Sequence, residues 1–471
     1  MAAKSKFGII VGTRGFFSPA LAAQGRKALL AKLDGMGYEY VILPADATPT
    51  GAVETLQDAR KCARLFQEHR DELGGIIVSL PNFGDEIGIV NALQMADVGL
   101  PVLVQACDDD LDKVDVERRR DAFCGKLSLC NNLYQYGIPY TDTTYHTCPI
   151  GSDVLAEDIR FFESVCRVAN GLRGARVGAV GARPTPFQTM RASEKLLQAS
   201  GITVVTVDLS EIIFAARGLD DDAEDVKQMV ARIRDYGPIP ESIADEKVVR
   251  QARFAVALEG WIEQNDVQAA GVQCWTSVQE NYGCAACLSM SMLSDRLIPC
   301  ACEVDVAGAI SMYALVLATG SPAALLDWNN NYGDDREMCI NTHCSNYPRD
   351  FFKSDIEISN LDILGANLGE DVCFGAVKGK VGAGPMTYFR VSTDDRAGRI
   401  KTYVGEGEFT DDPCDMAGGV AVCRVPGLQQ LMKYICRNGF EHHVAMVRSH
   451  CAEVLIEAVS SYLGWDWHRP G

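Results

Sequence analysis

The sequence has few histidines, a deficit of basic residues and no long apolar segment. Its 471 residues include 44 Lys and Arg against 63 Asp and Glu, which gives a formal net charge of −19. A nucleic-acid-binding surface needs a basic footprint, and docking on anionic lipid is disfavoured by the same charge. No segment approaches the ~18 apolar residues of a membrane span. We therefore expect no nucleic-acid partner and no membrane association.

The N-terminal stretch also lacks the apolar core of a secretory signal, because its apolar run covers only residues 7–11. The 18 cysteines are scattered along the chain rather than spaced as a disulfide framework, so we expect a cytoplasmic protein with reduced thiols. The pairs Cys284/Cys287 and Cys300/Cys302 faintly resemble zinc-ligand spacing. The second pair is one residue too close and its surroundings are apolar, which favours buried, apolar-behaving thiols.

Apolar strand-type runs alternate with helical patterns in the first third of the chain. The runs lie at 7–12, 40–46, 74–81 and 100–108. Continuous apolar strands with intervening amphipathic helices are typical of a parallel sheet that is covered on both faces. We predict a doubly wound, Rossmann-like α/β domain over residues 1–165.

The same alternation restarts at 174–184 and continues through runs at 299–306 and 323–328. It predicts a second doubly wound α/β domain over residues 166–349. The glycines that follow the first of these runs do not complete a dinucleotide fingerprint, so we discount a nicotinamide cofactor.

After about residue 350 the pattern changes to short alternating runs broken by Gly and Asp. The segment "STDDRAGRI" (392–400) is typical of a hairpin turn. We predict a mostly antiparallel β domain over residues 350–471, ending in a helix near 450–463. The predicted architecture is therefore two Rossmann-like α/β domains followed by a C-terminal β domain.

Acidic residues and histidines follow apolar strand-type runs in the second half of the chain. Glu303 and Asp305 follow "IPCAC", and Asp327 follows "SPAALL". His343 follows "EMCINT" in the same way, and the pair "HH" at 442–443 precedes the apolar run "VAMV". Ligands of open α/β sheets bind beyond the carboxyl ends of strands, and a buried acid there is costly unless it is paired, hydrogen-bonded or metal-bound.

Each of these residues alone has an ordinary structural explanation. Glu303 could pair with a buried Arg, Asp327 could cap a turn, and His343 could be a satisfied core histidine. Taken together, two carboxylates and two histidines favour a site with oxygen and nitrogen ligands for a divalent metal such as Mn²⁺.

The chain resembles the superfamily of L-fucose isomerase and L-arabinose isomerase, which are metal-dependent aldose–ketose isomerases. The order of two α/β domains and a β domain matches. The segments that carry the resemblance are "CEVDVAGAISM" (302–312), "LLDWNNN" (325–331), "NTHCSNYP" (341–348) and "EHHVAM" (441–446). In this superfamily a Glu in the context E-x-D-x-x-G-A and a later acid bind Mn²⁺ and carry protons. Here Glu303 and Asp327 match that pattern and stand 24 residues apart.

The arabinose-isomerase branch adds two histidine ligands, of which the later is the second member of a His-His pair. His343 and His443 match that pattern and stand 100 residues apart. The resemblance therefore implies that His443 is a metal ligand, while it stays open whether His343 is a direct one. Neighbours on a strand point to opposite faces, so we expect His442 to face away from the site.

The resemblance also implies the reaction and the cofactor. The metal is expected to be Mn²⁺, with Co²⁺ or Mg²⁺ as alternatives, and as a Lewis acid it would polarise the carbonyl of an open-chain aldose. Glu303 and Asp327 would act as the acid/base pair through a cis-enediol, and the resemblance does not tell which carboxylate takes the C2 proton.

Candidate substrate contacts come from the segment 272–283 and from the loops after the first and third strands. In fucose isomerases the equivalent loops reach the active site of a neighbouring subunit, which implies a homo-oligomer, expected to be a hexamer. An ordinary loop role is the alternative for the two loops. The candidates are Arg14, Asn82, Phe83, Gln273, Trp275 and Tyr282.

No residue identifies the sugar. An L-fucose-like substrate ends in a methyl group, which favours an apolar wall such as Trp275 or Phe83. The sulfonate of sulfoquinovose would need cationic residues instead. The available candidates are Arg14, Arg183, Lys378 and Lys380.

We expect an L-fucose-like isomerase. The same chemistry on sulfoquinovose, giving 6-deoxy-6-sulfofructose, or on L- or D-arabinose, is the alternative. Paired α/β domains also form non-catalytic sugar-binding proteins, which would lack the metal-binding constellation.

Overall fold

The computed structural model describes residues 5–352 and 355–470, and it divides into two compact units. The first unit comprises Met1–Asn170 and Glu457–Gly464, and the second comprises Gly171–Ile456 and Trp465–Gly471. Residues 1–4, 353–354 and 471, which the domain predictions include, lie outside the described residues.

The first unit contains a five-stranded parallel sheet in the order β2-β1-β3-β4-β5. Its strands are β1 (Lys6–Val11), β2 (Tyr40–Ile42), β3 (Leu73–Leu80), β4 (Val102–Ala106) and β5 (Thr141–Asp142). The helices of this region are α1 (Pro19–Met36), α2 (Leu56–Glu68), α3 (Glu86–Ala96), α4 (Ala122–Gln135) and α5 (Asp153–Arg173). The predicted domain boundary at 165/166 falls inside α5, because apolar residues continue at helical spacing and remain buried as far as Leu172.

The second unit begins with a four-stranded parallel sheet in the order β7-β6-β8-β9. Its strands are β6 (Arg176–Val180), β7 (Thr203–Val207), β8 (Ala269–Val272) and β9 (Cys300–Cys302). The helices are α6 (Glu194–Ala199), α7 (Leu209–Gly218), α8 (Glu224–Tyr236), α9 (Asp245–Gln264), α10 (Ser277–Asn281), α11 (Cys287–Asp295) and α12 (Val306–Thr319). Both N-terminal sheets are therefore parallel, as predicted.

The rest of the second unit is built on a ten-stranded, mostly antiparallel sheet, which confirms the predicted change of architecture. Its central path runs β10-β18-β15-β16-β17-β12-β11. The strands are β10 (Ala323–Asp327), β11 (Asn330–Tyr332), β12 (Asp335–His343), β13 (Glu357–Asn360), β14 (Phe374–Lys380), β15 (Gly384–Asp394), β16 (Arg399–Thr410), β17 (Gly419–Arg424), β18 (His443–Val447) and β19 (Asp466–His468). The helices are α13 (Asp362–Leu368), α14 (Leu428–Asn438) and α15 (Ala452–Glu457). The hairpin predicted at 392–400 joins β15 to β16.

The predicted boundary at 349/350 cuts through this sheet. Strands β10 and β12 were assigned from the sequence to the central α/β domain, yet β10 pairs with β18 and β12 pairs with β17. Their hydrogen-bonding partners lie far along the chain, so a local apolar pattern could not reveal them. This pairing matters for function because it carries the candidate site.

The two cysteine pairs lie in apolar surroundings, as predicted from the sequence. The pairs Cys284/Cys287 and Cys300/Cys302 are fully buried in an apolar cluster, and all 18 cysteines are free thiols. Among the described residues, no group of potential metal ligands includes a cysteine. No helix in the described part of the chain is long and apolar enough to cross a membrane.

Candidate active site

The register of the large sheet brings two predicted ligands together. Strand β10 pairs with β18 so that Asp327 lies opposite His443, and Asp327 Oδ1 lies 3.4 Å from His443 Nε2. His343, the last residue of β12, places its Nε2 atom 3.1 Å from Nε2 of His443 and 4.0 Å from Oδ1 of Asp327. Strand ends therefore bring together three side chains that are distant in sequence.

Glu303 joins this cluster from the parallel sheet. The chain leaves β9 directly before it, and Glu303 and Val304 have φ angles of 63° and 55°, in the left-handed region. The turn passes so close to β8 that a Cβ at Gly271 would lie 2.8 Å from the Val304 carbonyl carbon. This turn replaces the longer strand predicted over 299–306, and it places Glu303 Oε2 3.6 Å from His443 Nε2.

The two carboxylates are poorly satisfied by the protein itself. Oε2 of Glu303 and Oδ1 of Asp327 are buried and have no hydrogen-bond partner. Burial, reinforced by neighbouring carboxylates and opposed by His443, raises the pKa of Glu303 to about 7 and that of Asp327 to about 6. Buried acids without donors are costly, and a bound cation is one of the few groups that can satisfy them.

The donor set fits a divalent metal. Two overlapping groups each have ligand atoms within 4.8 Å of one another, namely Glu303/His442/His443 and Asp327/His343/His443. Carboxylate oxygens and imidazole nitrogens together suit Mn²⁺ and related divalent ions. The structure therefore brings all four predicted metal ligands to one place.

His443 is held in one orientation by Asp305. The His443 ring is fully buried, and its Nδ1 lies 2.8 Å from Asp305 Oδ2. Nδ1–H donates to the carboxylate, which directs Nε2 towards Glu303 and Asp327, an arrangement common for metal-binding histidines. Burial lowers the pKa of His443, but the hydrogen bond to Asp305 and the charges of the nearby acids outweigh burial and raise it.

Asp305 itself supports the site rather than completing the cluster. It caps helix α12 by accepting from Gly308 N at 2.8 Å, and it binds the Arg390 guanidinium through both oxygens, at 2.6 and 3.0 Å. Burial alone would raise the pKa of Asp305, but Arg390 and His443 hold it well below its usual range. Asp305 is therefore a fixed anion behind His443.

The expectation that His442 faces away from the site is wrong. Strand β18 begins at His443, so His442 precedes the strand and the alternation of strand faces does not apply to it. Its Nε2 lies 3.6 Å from Asp327 Oδ1, and its side chain is 42% exposed. His442 thus borders the cluster from the solvent side.

A cavity of about 590 Å³ opens onto the cluster. Acids and histidines of the cluster form one wall, and much of the remainder is apolar. The lining residues are Phe187, Trp275, Glu303, Asp327, Asn329, Thr342, His343, Cys344, Ser345, Leu361, Asp362, Ile363, Met416, Ala417, Gly418 and His442. None of these residues is a Lys or Arg, although lining residue Asp362 pairs with Lys378 at 2.7 Å.

The three substrate candidates from 272–283 have different environments. Trp275 lines the cavity, where its indole nitrogen is buried without a hydrogen-bond partner. Gln273 accepts a hydrogen bond from Ala182 N at 2.9 Å and lines a separate surface hollow. Tyr282 donates its hydroxyl to Arg250 O at 3.0 Å and packs in the apolar core. Only Trp275 is brought to the cavity.

The other three candidates lie together in the first unit. The guanidinium of Arg14 lies 4.0 Å above the ring of Phe83 and forms ion pairs with Asp85 and Glu86. Asn82 is buried and donates to Thr13 Oγ1 at 3.0 Å. Their expected role towards a neighbouring subunit stays a prediction.

Several groups at the site were not predicted from the sequence. Phe187 packs edge-on against Trp275, with ring centroids 5.6 Å apart, and Asn329 lies two residues beyond Asp327 in the quoted segment "LLDWNNN". Asn329 could have been found from that proximity. Arg390 and Phe187 carried no local signal, because only the folded chain brings them near the other residues.

Two family descriptions match this chain. "Fucose/sulfoquinovose isomerase, N-terminal domain" covers residues 8–173, and "L-fucose isomerase, C-terminal domain" covers residues 341–469. Together the two ranges span more than half of the sequence. The chain belongs to the L-fucose isomerase family. The predicted ligands Glu303 and Asp327 lie between the two matched ranges, whereas His343 and His443 lie within the second.

Curated relatives of this chain are about a quarter identical to it within the aligned regions. It is 24% identical to a sulfoquinovose isomerase of Alkalicoccus urumqiensis over 296 residues, which is 61% of this chain and 63% of that protein. It is 24% identical to a sulfoquinovose isomerase of Priestia megaterium (strain ATCC 12872 / QMB1551) over 303 residues, 62% of this chain and 64% of that protein. The matched region thus spans slightly less than two thirds of these relatives' length.

Proposed function

We propose that this chain is a divalent-metal-dependent aldose–ketose isomerase. The observation that carries the proposal is the convergence of two unpartnered carboxylate oxygens, from Glu303 and Asp327, with His443 at the wall of a cavity. Membership of the L-fucose isomerase family supports it. The names of the curated relatives favour sulfoquinovose over L-fucose as the substrate.

Glu303, Asp327 and His443 would hold the ion, with His343 as a fourth ligand. Mn²⁺ is the ion we propose, and Co²⁺ or Mg²⁺ are the alternatives. When bound, the ion supplies the Lewis acidity that polarises the sugar carbonyl and offsets negative charge in the transition state. Asp305 keeps the Nε2 lone pair of His443 directed at this position.

The reaction requires two coupled proton transfers. A base removes the proton from C2, the electron pair forms the C1=C2 bond, and O1 takes up a proton. The resulting cis-enediol then loses the O2 proton, and C1 receives a proton as the C2 carbonyl forms. We assign these transfers to Glu303 and Asp327, because both residues line the cavity and each keeps a buried carboxylate oxygen without a hydrogen-bond partner.

The cavity wall favours a second candidate substrate. A sulfonate is bound best by cationic donors, whereas the wall contributes Phe187, Trp275 and Leu361 but no Lys or Arg. Lys378 is already paired with Asp362. This wall suits the methyl end of a 6-deoxy sugar such as L-fucose, so the substrate must be decided by direct competition.

The substrate assignment is tested by a ketose-formation assay with Mn²⁺. The panel is sulfoquinovose, L-fucose, L-arabinose and D-arabinose, and we expect the highest kcat/KM for sulfoquinovose. Metal-stripped protein is the control and should be inactive until Mn²⁺ is restored. Protein that binds one equivalent of Mn²⁺ but isomerises none of these sugars would contradict the proposal, and tight sugar binding without metal would favour a binding protein.

Metal binding is expected to release protons in a pH-dependent way. The metal-free pKa values of Glu303 and Asp327, about 7 and about 6, mean that both acids are largely protonated at low pH and must deprotonate to bind an ion. More protons should therefore be released, and affinity should be lower, at about pH 5.5 than at about pH 8. Titration calorimetry in buffers with different ionisation enthalpies measures the number of protons released for each Mn²⁺ bound. An equal number at both pH values would contradict the expectation.

A further inference from the structure

The largest fully buried side chain in the described part of the chain is Arg390, on strand β15. Its Nη1 and Nη2 atoms bind the two oxygens of Asp305 at 2.6 and 3.0 Å, and its Nε donates to Glu441 Oε2 at 3.1 Å. Ser392 Oγ donates to the other oxygen of Glu441 at 2.9 Å. One guanidinium therefore joins two carboxylates that come from different segments.

Those two carboxylates flank the proposed metal ligands in sequence. Asp305 follows Glu303 by two residues, and Glu441 precedes His443 by two residues. Asp305 also makes the hydrogen bond that orients the His443 ring. The Arg390 guanidinium thus connects the turn that carries one ligand with the strand start that carries another.

The surroundings leave this connection little freedom. A Cβ at Gly308 would lie 2.4 Å from Asp305 Oδ2 and 3.0 Å from Arg390 Nη1, so helix α12 packs directly against the ion pair. The neighbouring residue Val391 donates its backbone N–H to Ser311 Oγ on the same helix at 2.8 Å. Strand β15 and helix α12 are therefore fixed to each other at the position where Arg390 makes its contacts.

We propose that Arg390 is a positioning residue that sets the spacing between Glu303 and His443 through Asp305 and Glu441. A buried ion pair is often no more stabilising than apolar residues of the same volume, but its directional, bidentate hydrogen bonds fix geometry. The described hydrogen bonds and ion pairs of the guanidinium go to Asp305 and Glu441 rather than to Glu303 or His443, so it acts on metal affinity through those two carboxylates. This inference rests on the proposed metal site.

Arg390→Lys tests the inference, because lysine keeps the charge but cannot bind both carboxylates in the same planar geometry. We expect Mn²⁺ affinity, measured by calorimetry, to fall ~10–100-fold, the range for residues that orient a ligand. The thermal shift that Mn²⁺ produces should shrink in parallel. Arg232→Lys is the control: Arg232 makes a bidentate pair with Glu259, at 2.9 and 3.0 Å, in a partly exposed position outside the cluster, and its substitution should leave Mn²⁺ affinity unchanged.

Two further variants separate positioning from general loosening of the fold. Glu441→Gln weakens the contact between Arg390 and Glu441 with little change in side-chain shape, and we expect it to lower Mn²⁺ affinity as well. If Arg390→Lys does not fold, Glu441→Gln serves as the test. Arg390→Lys should lower Mn²⁺ affinity much less in the Asp305→Asn variant than in the wild-type protein. The reason is that both substitutions disrupt the same contact between Arg390 and Asp305. Wild-type affinity in both Arg390→Lys and Glu441→Gln would overturn the inference. Failure of the wild-type protein to bind Mn²⁺ would instead overturn the metal site together with it.

Discussion

Replacing Glu303 by Gln is expected to lower kcat by ~10²–10⁴-fold, the usual contribution of a positioned acid or base. The amide keeps the shape of the side chain but can no longer accept a proton, and it is a weaker metal ligand than the carboxylate. The measurement is the initial rate of ketose formation at saturating Mn²⁺, with the preferred sugar of the substrate panel. The residual rate reports what Asp327 and the metal supply without Glu303.

The same variant should be at least as stable as the wild-type protein when metal is absent. Burial raises the pKa of Glu303 to about 7, so ionisation of this acid is harder in the folded chain than in the unfolded chain. Its charge therefore destabilises the metal-free fold increasingly as the pH rises from the usual glutamate range to about 7, and the destabilisation stays constant above that pH. Removing the charge should keep or raise the metal-free Tm at about pH 8 while reducing the stabilisation by Mn²⁺.

A matched buried glutamate distinguishes catalysis from a general effect of burial. Glu163 is also buried, but Tyr38 OH and Ser5 N donate to its carboxylate, at 2.8 and 3.1 Å. Glu163→Gln should therefore lose stability rather than activity. A Glu303→Gln variant that retains wild-type kcat would remove Glu303 from the reaction.

The sequence was sufficient to predict which sheets are parallel and which is antiparallel, but not which strands belong to each sheet. Apolar runs with helices between them predicted parallel sheets, and alternating runs predicted the antiparallel one. The apolar run 323–328 predicts a buried strand but does not tell which sheet contains it. The pairing of β10 with β18 could therefore not be predicted from this run. The predicted boundary at 349/350 therefore divides the strands of one sheet between two predicted domains.

For the site, too, the sequence predicted individual residues but not the contacts that depend on the tertiary fold. Spacing and resemblance selected Glu303, Asp327, His343 and His443, and the structure brings these four side chains together. The orientation of His442 was predicted from strand alternation, which fails because the strand starts one residue later. Contacts such as those of Arg390 join segments 85 and 51 residues apart, and no local pattern encodes them.

Replacing His443 by Ala is expected to weaken Mn²⁺ binding by at least ~100-fold, since even the loss of a group that only orients a ligand costs ~10–100-fold. The His443 imidazole is fully buried and lies close to both carboxylates, with Nε2 3.6 Å from Glu303 Oε2 and 3.4 Å from Asp327 Oδ1. Its loss removes the buried nitrogen ligand between the two acids. Calorimetric titration with Mn²⁺ measures the effect, and activity should fall with the bound metal.

His442→Ala is the control within the same dipeptide. Its imidazole is partly exposed and lies 3.6 Å from Asp327 Oδ1, at the edge of the cavity. We expect less than ~10-fold loss of Mn²⁺ affinity, below the range for groups that orient ligands, and a larger effect on KM than on metal binding. If His442→Ala weakened Mn²⁺ binding more than His443→Ala, the ligand would be His442. The contact between Asp305 and His443 would then only support the fold, and the alignment of this pair with the family pattern would have to shift by one residue.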